Sequence, residues 1–194
     1  MSPGLIIFLH GVGSQGASFT PLLAQWGAEL PAITLAAPDA PFAFDLAPDG
    51  RQWFSIRGVT EDNRPERVVT ARQAFDDTLQ SYISKAGFEN RLDRVVLVGF
   101  SQGSIMALDA AVSSRCPVAG WVAFSGLLAS PPFYDPCTGT RILFIHPYAG
   151  AITPVHDAPG PAQDLTTLRM PVSCYILRDG RHILPAFALT WVVH

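Results

Sequence analysis

Short apolar runs recur along this chain, separated by stretches whose apolar positions follow a helical period. The runs fall at residues 5–9, 33–36, 94–98, 118–124, 141–145 and 172–177. Most are continuous and rich in β-branched residues rather than alternating, which is the pattern of strands covered on both faces of a parallel sheet. Between them the spacing predicts helices over 20–30, 65–86, 102–114 and 163–168, with a short one near 185–193. This order predicts an α/β fold: an open, doubly wound, mostly parallel sheet with helices on both faces. Residues 39–64 are the least regular. They combine several Pro and Gly with Phe42, Phe44, Trp53 and Phe54, so they are expected to form either a binding loop or a cap over the core.

Composition narrows the picture. A chain of 194 residues that is 48% hydrophobic suits one α/β domain covering 1–194. A net charge of −3, with 15% charged residues and no basic block, argues against a nucleic-acid partner. No apolar stretch approaches the ~18–20 residues that span a bilayer. The amino-terminal MSPGLIIFLHG lacks a basic segment and a cleavage site, so no signal peptide is expected. Cys116, Cys137 and Cys174 have no metal-ligand spacing, and no metal site is expected. Their odd number suggests reduced thiols and a cytoplasmic location. The sequence leaves the oligomeric state open, a dimer being one option.

Two glycine clusters carry candidate chemistry. The first, Gly11 to Gly16 (GVGSQG), spells G-x-G-x-x-G after a strand, with Asp39 following the next strand. That is the outline of a dinucleotide-binding fingerprint. His10 stands directly before the glycines, however, and HG after a strand also opens the oxyanion loop of many hydrolases. Ser18, Thr20 and Pro21 place the helix start beyond Gly16, and Asp39 sits in the turn sequence APDAP. Both features weigh against a nucleotide-binding oxidoreductase.

The second cluster is Gly99-Phe100-Ser101-Gln102-Gly103, a G-x-S-x-G between a predicted strand and a predicted helix. In that context it reads as a nucleophile elbow. Ser101 must occupy a sharp, strained turn, so the positions two away on each side need to lack side chains. The helix that follows directs its amino-terminal dipole and the Gln102 N–H towards a developing oxyanion. A serine nucleophile needs a base, and in an elbow the histidine follows it in the chain. His182, after the last predicted strand, is the chosen base; His146, His156 and His194 also follow the elbow.

With these residues in place the chain resembles the bacterial phospholipase/carboxylesterase family of α/β-hydrolases, which includes acyl-protein thioesterases. The resemblance rests on LHGVGS at 9–14, APDAP at 37–41, QWFSIRG at 52–58, VGFSQGS at 98–104, AFSGLL at 123–128 and GRH at 180–182. It implies an α/β-hydrolase fold, compact and without a large cap domain. It implies hydrolysis of carboxyl esters or thioesters of modest acyl chains, with no cofactor and a small-molecule ester or thioester as partner. It assigns the oxyanion hole to the backbone N–H groups of Val12 and Gln102. Phe19, Trp53, Phe54 and Leu127 are expected walls of the acyl pocket, with plain core packing as the other reading of the aromatic residues.

One family feature is missing. Members carry H-G-x-x-D-x-x-V-P after the sixth strand, and an ungapped match here puts Gly150 at the place of the catalytic Asp. Asp157, Asp164 and Asp179 lie between that stretch and His182. Asp157 is the expected orienting acid; a Ser–His dyad without an acid is the rival arrangement. Ser104 in place of the second glycine of GFSQGG and the short segment after His182 also depart from the family. These departures keep two readings open: a serine carboxylesterase or thioesterase, and a catalytically impaired relative that binds a small acyl ligand or a partner.

Overall fold

A computed structural model describes residues 4–132, 134–136, 139–147 and 168–177. Six strands form one parallel sheet: β1 (Gly4–Leu9), β2 (Ile33–Ala36), β5 (Val95–Phe100), β6 (Gly120–Phe124), β7 (Arg141–Pro147) and β8 (Val172–Leu177). Their order is β2-β1-β5-β6-β7-β8. Each agrees with a predicted apolar run to within two residues. Three helices match as well: α1 (Thr20–Glu29), α2 (Arg64–Lys85) and α3 (Gln102–Val112). The predicted helices at 163–168 and 185–193 lie outside the described residues, apart from Leu168, which is in a turn.

Period-two alternation along β1 separates the two layers of core. Leu5, Ile7 and Leu9 join the cluster under α2 and α3, while Ile6 and Phe8 join the one under α1 with Trp26. Every residue of β1 is buried, as the unbroken apolar run requires. Helix α2 shows the amphipathic pattern: Val68, Ala71, Phe75, Leu79 and Ile83 form a buried stripe at intervals of three and four. Helix α3 is buried all round, between the sheet and α2. Its single acid, Asp109, is wholly buried and is held by Arg72 and Arg115.

The irregular stretch before α2 contains a two-stranded antiparallel ribbon, β3 (Phe42–Ala43) with β4 (Arg51–Gln52). Its short strands have no apolar run or alternation long enough to announce them. Among the described residues, no helix is long and apolar enough to cross a membrane.

Candidate active site

The sheet order reverses between β1 and β5, since β2 lies outside β1 on one side and β6 outside β5 on the other. Ligands of open α/β sheets collect at such a switch point, beyond the carboxyl ends of the strands. Both glycine clusters leave the sheet there. Leu9 pairs with Gly99 in register, and a methyl group added at Gly11 would stand 3.5 Å from Ser101 Cβ.

Ser101 joins β5 to α3 with φ 48° and ψ −112°, a conformation that L-residues rarely adopt and that costs about 1–3 kcal/mol. The turn holds because its neighbours brace it. The Ser101 N–H donates to the Phe124 carbonyl at 2.9 Å, and its side chain stays exposed. The flanking glycines are required by contact. A Cβ on Gly99 would lie 2.7 Å from the backbone of Ser104, and one on Gly103 would lie 2.4 Å from the Leu9 carbonyl oxygen. Ser104 fits because Gly126 leaves room for it: its hydroxyl donates to the Gly99 carbonyl at 2.5 Å and lies 3.1 Å from that of Phe124. The first turn of α3 leaves the Gln102 N–H without an intrahelical acceptor and adds the positive end of the helix dipole.

The loop after β1 is held from three sides. The Gly13 N–H donates to Arg51 O, and the Arg51 N–H to Ser14 O, both at 2.8 Å. Asp39 accepts the Gly16 N–H at 2.7 Å, so this acid pins the glycine loop itself. His10 is buried and uses both ring nitrogens: Nε2 accepts the Ala40 N–H at 2.9 Å, and Nδ1–H donates to the Gly11 carbonyl at 2.7 Å. The Ala40 N–H can only donate, which assigns the neutral Nδ1–H tautomer. Burial pushes the His10 pKa below its ordinary value and outweighs the opposing bond to Gly11. The fixed tautomer also fixes a direction. With the Gly11 carbonyl turned inward to His10, the Val12 N–H of the same trans peptide points the opposite way.

The four expected pocket residues divide between the two clusters of the core. Trp53 is fully buried, with its ring edge-on to Phe75 at 5.2 Å. Phe54 is buried beside it in the same cluster, and Leu127 packs at that cluster's margin. Phe19 belongs to the other cluster and rests on Phe8 and Phe100, at 5.4 and 5.1 Å. Phe54 also lines a cavity of 640 Å³ between the ribbon and the start of α2, together with Phe42, Ala71, Asp45, Glu66 and Arg67. The Ser55 hydroxyl, bonded to Asp45 at 2.6 Å, holds that carboxyl below the usual carboxylate range.

Val12, Ser101 and Gln102 are therefore brought to one edge of the sheet, and His182, Asp157 and Gly150 lie outside the described residues. Among the described residues, no cluster of His, Cys, Asp and Glu could hold a metal ion. Sequence reasoning missed the side-chain work of His10, Asp39 and Gln102. The last is buried, accepting the Trp53 N–H at 2.7 Å through Oε1 and donating to the Phe54 carbonyl at 2.8 Å through Nε2. Only the neighbourhood of His10 to the loop glycines signalled any of this.

Comparison with known proteins gives the family and the fold. The family model described as Phospholipase/Carboxylesterase matches residues 2–187. The esterase YpfH of Escherichia coli is 33% identical over 153 residues, covering 79% of this chain and 63% of YpfH, just under two thirds of its length. Acyl-protein thioesterase 1 of Neurospora crassa is 29% identical over 178 residues, covering 85% of this chain and 69% of its own. The crystal structure of esterase PE8 superposes with a TM-score of 0.77 at 26% identity, covering 99% of this chain and 91% of that one. A carboxylesterase from Mesorhizobium loti shares the fold, with a TM-score of 0.74 at 19% identity over 100% of this chain and 90% of its own. The chain belongs to the phospholipase/carboxylesterase family and has the α/β-hydrolase fold.

Proposed function

We propose that this chain hydrolyses small to medium carboxyl esters or thioesters through an acyl-enzyme on Ser101. The observation that carries this reading is the strained, exposed Ser101 at the β5–α3 turn, with glycines on both sides where a side chain would collide. Ser101 Oγ bonds to the acyl carbon as its proton passes to His182. The carbonyl oxygen takes up the electron pair and is held by the Val12 and Gln102 N–H groups. Collapse expels the alcohol or thiol, which takes the proton from His182, and water repeats the sequence to release the acid. Asp157 orients His182, with a Ser–His dyad as the rival arrangement. Phe54 supplies the acyl side of the site, its carbonyl accepting from Gln102 Nε2 at 2.8 Å. The relatives named esterase and acyl-protein thioesterase support the substrate class. The odd number of cysteines, three, supports a reducing, cytoplasmic setting.

A second reading, an impaired relative that binds an acyl ligand, rests on Gly150 standing where the family has its acid. Turnover of p-nitrophenyl esters from acetate to octanoate separates the two. Hydrolysis by the parent and its loss in Ser101→Ala are expected. A fall of roughly 10⁴ in kcat for Asp157→Ala marks a triad, and an unchanged rate marks a dyad. No Ser101-dependent hydrolysis by the parent overturns the esterase reading and leaves the second.

A further inference from the structure

The two proposed oxyanion donors stand on different elements. Val12 lies in the loop after β1, and Gln102 opens α3 after β5. Both N–H groups must sit 2.7–3.1 Å from one oxygen, and preorganised donors of this kind need placement within about 0.5 Å. Strand pairing sets the separation only as far as Leu9 and Gly99, where the ladder ends. Beyond it, a second connection runs between the donors through buried groups.

From α3, the Gln102 side chain grips the ribbon segment by two bonds, accepting the Trp53 N–H at 2.7 Å and donating to the Phe54 carbonyl at 2.8 Å. From Trp53, the indole Nε1–H donates to the His10 carbonyl at 2.9 Å. From His10, Nδ1–H donates to the Gly11 carbonyl at 2.7 Å, and Gly11 shares its peptide plane with the Val12 N–H. Gln102, Trp53 and His10 are all at least 97% buried, so water does not compete for these bonds. The His10 and Gly11 carbonyls are both turned inward by this chain of donors.

We propose that the Trp53 indole N–H and the Gln102 side-chain amide are positioning groups that set the spacing of the Val12 and Gln102 N–H donors. Trp53 thus acts on the site through His10 rather than as a wall against the acyl chain. The inference rests on the Ser101 esterase reading for its catalytic consequence. Its structural part, that Trp53 places Val12, does not need that reading.

Trp53→Phe is the test, since it removes the indole N–H and keeps a ring in the core. Phe75→Leu is the control, because Phe75 touches the Trp53 ring and makes none of the relay's bonds. Kinetics on p-nitrophenyl acetate are read beside the ¹⁵N–¹H spectrum and the urea midpoint. In Trp53→Phe, kcat is expected to fall at least about tenfold, with KM changed less than about twofold and the Val12 amide displaced. In Phe75→Leu the urea midpoint drops while kcat and the Val12 amide stay as in the parent. An unchanged kcat in Trp53→Phe, or equal falls in the two variants at equal destabilisation, overturns the proposal. If the parent shows no Ser101-dependent turnover, the esterase reading fails by itself. The spectrum then decides: a Val12 amide moved only in Trp53→Phe supports the relay, and an unmoved one overturns it.

Discussion

Strain and protonation decide the residue scale. At φ 48°, Ser101 occupies a conformation that glycine adopts freely, so its identity is held against the preference of the backbone. Ser101→Gly is therefore expected to be more stable than Ser101→Ala by about 1 kcal/mol, with neither variant hydrolysing esters; urea denaturation of the pair checks this. His10 makes a pH prediction. Burial holds its folded-state pKa below the ordinary 6.5, with Asp39 raising it and Arg51 lowering it by smaller amounts. As pH falls, the unfolded chain takes up this proton first. The stability contributed by neutral His10 is thus complete above 6.5 and declines as pH drops towards the folded value. Protonation would also turn Nε2 into a donor facing the Ala40 N–H donor. Urea midpoints measured from about pH 7 to pH 5 should fall more steeply in the parent than in His10→Gln.

At the scale of elements, close approach and a buried charge cluster matter most. Helix α3 meets β1 at Gly103, where a methyl group would collide with the Leu9 carbonyl oxygen at 2.4 Å. Backbone cannot step aside as a flexible side chain can, so Gly103→Ala is expected to cost about 1–3 kcal/mol and to displace the elbow; thermal denaturation and ester turnover measure the two effects. Asp109 ties α3 to α2 through two bonds to Arg72, at 2.9 and 2.8 Å, and it also meets Arg115 and the Ser130 hydroxyl, each at 2.6 Å. Burial raises the Asp76 pKa against the pull of Arg115, its own partner in this cluster. Asp109→Ala leaves two guanidinium groups facing a cavity and should lose about 3–5 kcal/mol in chemical denaturation. The strands were legible as continuous apolar runs buried on both faces, and α2 by its apolar stripe at intervals of three and four. The β3–β4 ribbon was not, because its strands are too short to show a period and its place depends on partners distant in the chain. Gln102 illustrates the same limit. Its backbone role follows from the elbow motif, but its side-chain bonds to residues 53 and 54 arise only once the ribbon is folded against α3.

For the whole molecule, the reversal of strand order between β1 and β5 does the most to assemble the site. It puts GVGSQG and GFSQG beside each other although most of the chain's first half separates them. Read alone, the first cluster fits a phosphate cradle as well as an oxyanion loop. The fold separates these readings through Asp39, which is bonded to Gly16 within the loop. Ser101 and Gln102 were legible in the elbow motif, Val12 was assigned by family resemblance, and their place at one sheet edge follows from the strand order and register. The base and the acid were placed by chain order and family resemblance alone, and both lie outside the described residues. The proposed hydrolysis requires Ser101 to be an activated nucleophile. The most direct measurement is labelling of the native protein with a fluorophosphonate probe, with the adduct mapped by mass spectrometry. One adduct is expected, on Ser101, and none on Ser101→Ala. A native protein that stays unlabelled, or one labelled elsewhere with Ser101 unmodified, would contradict it.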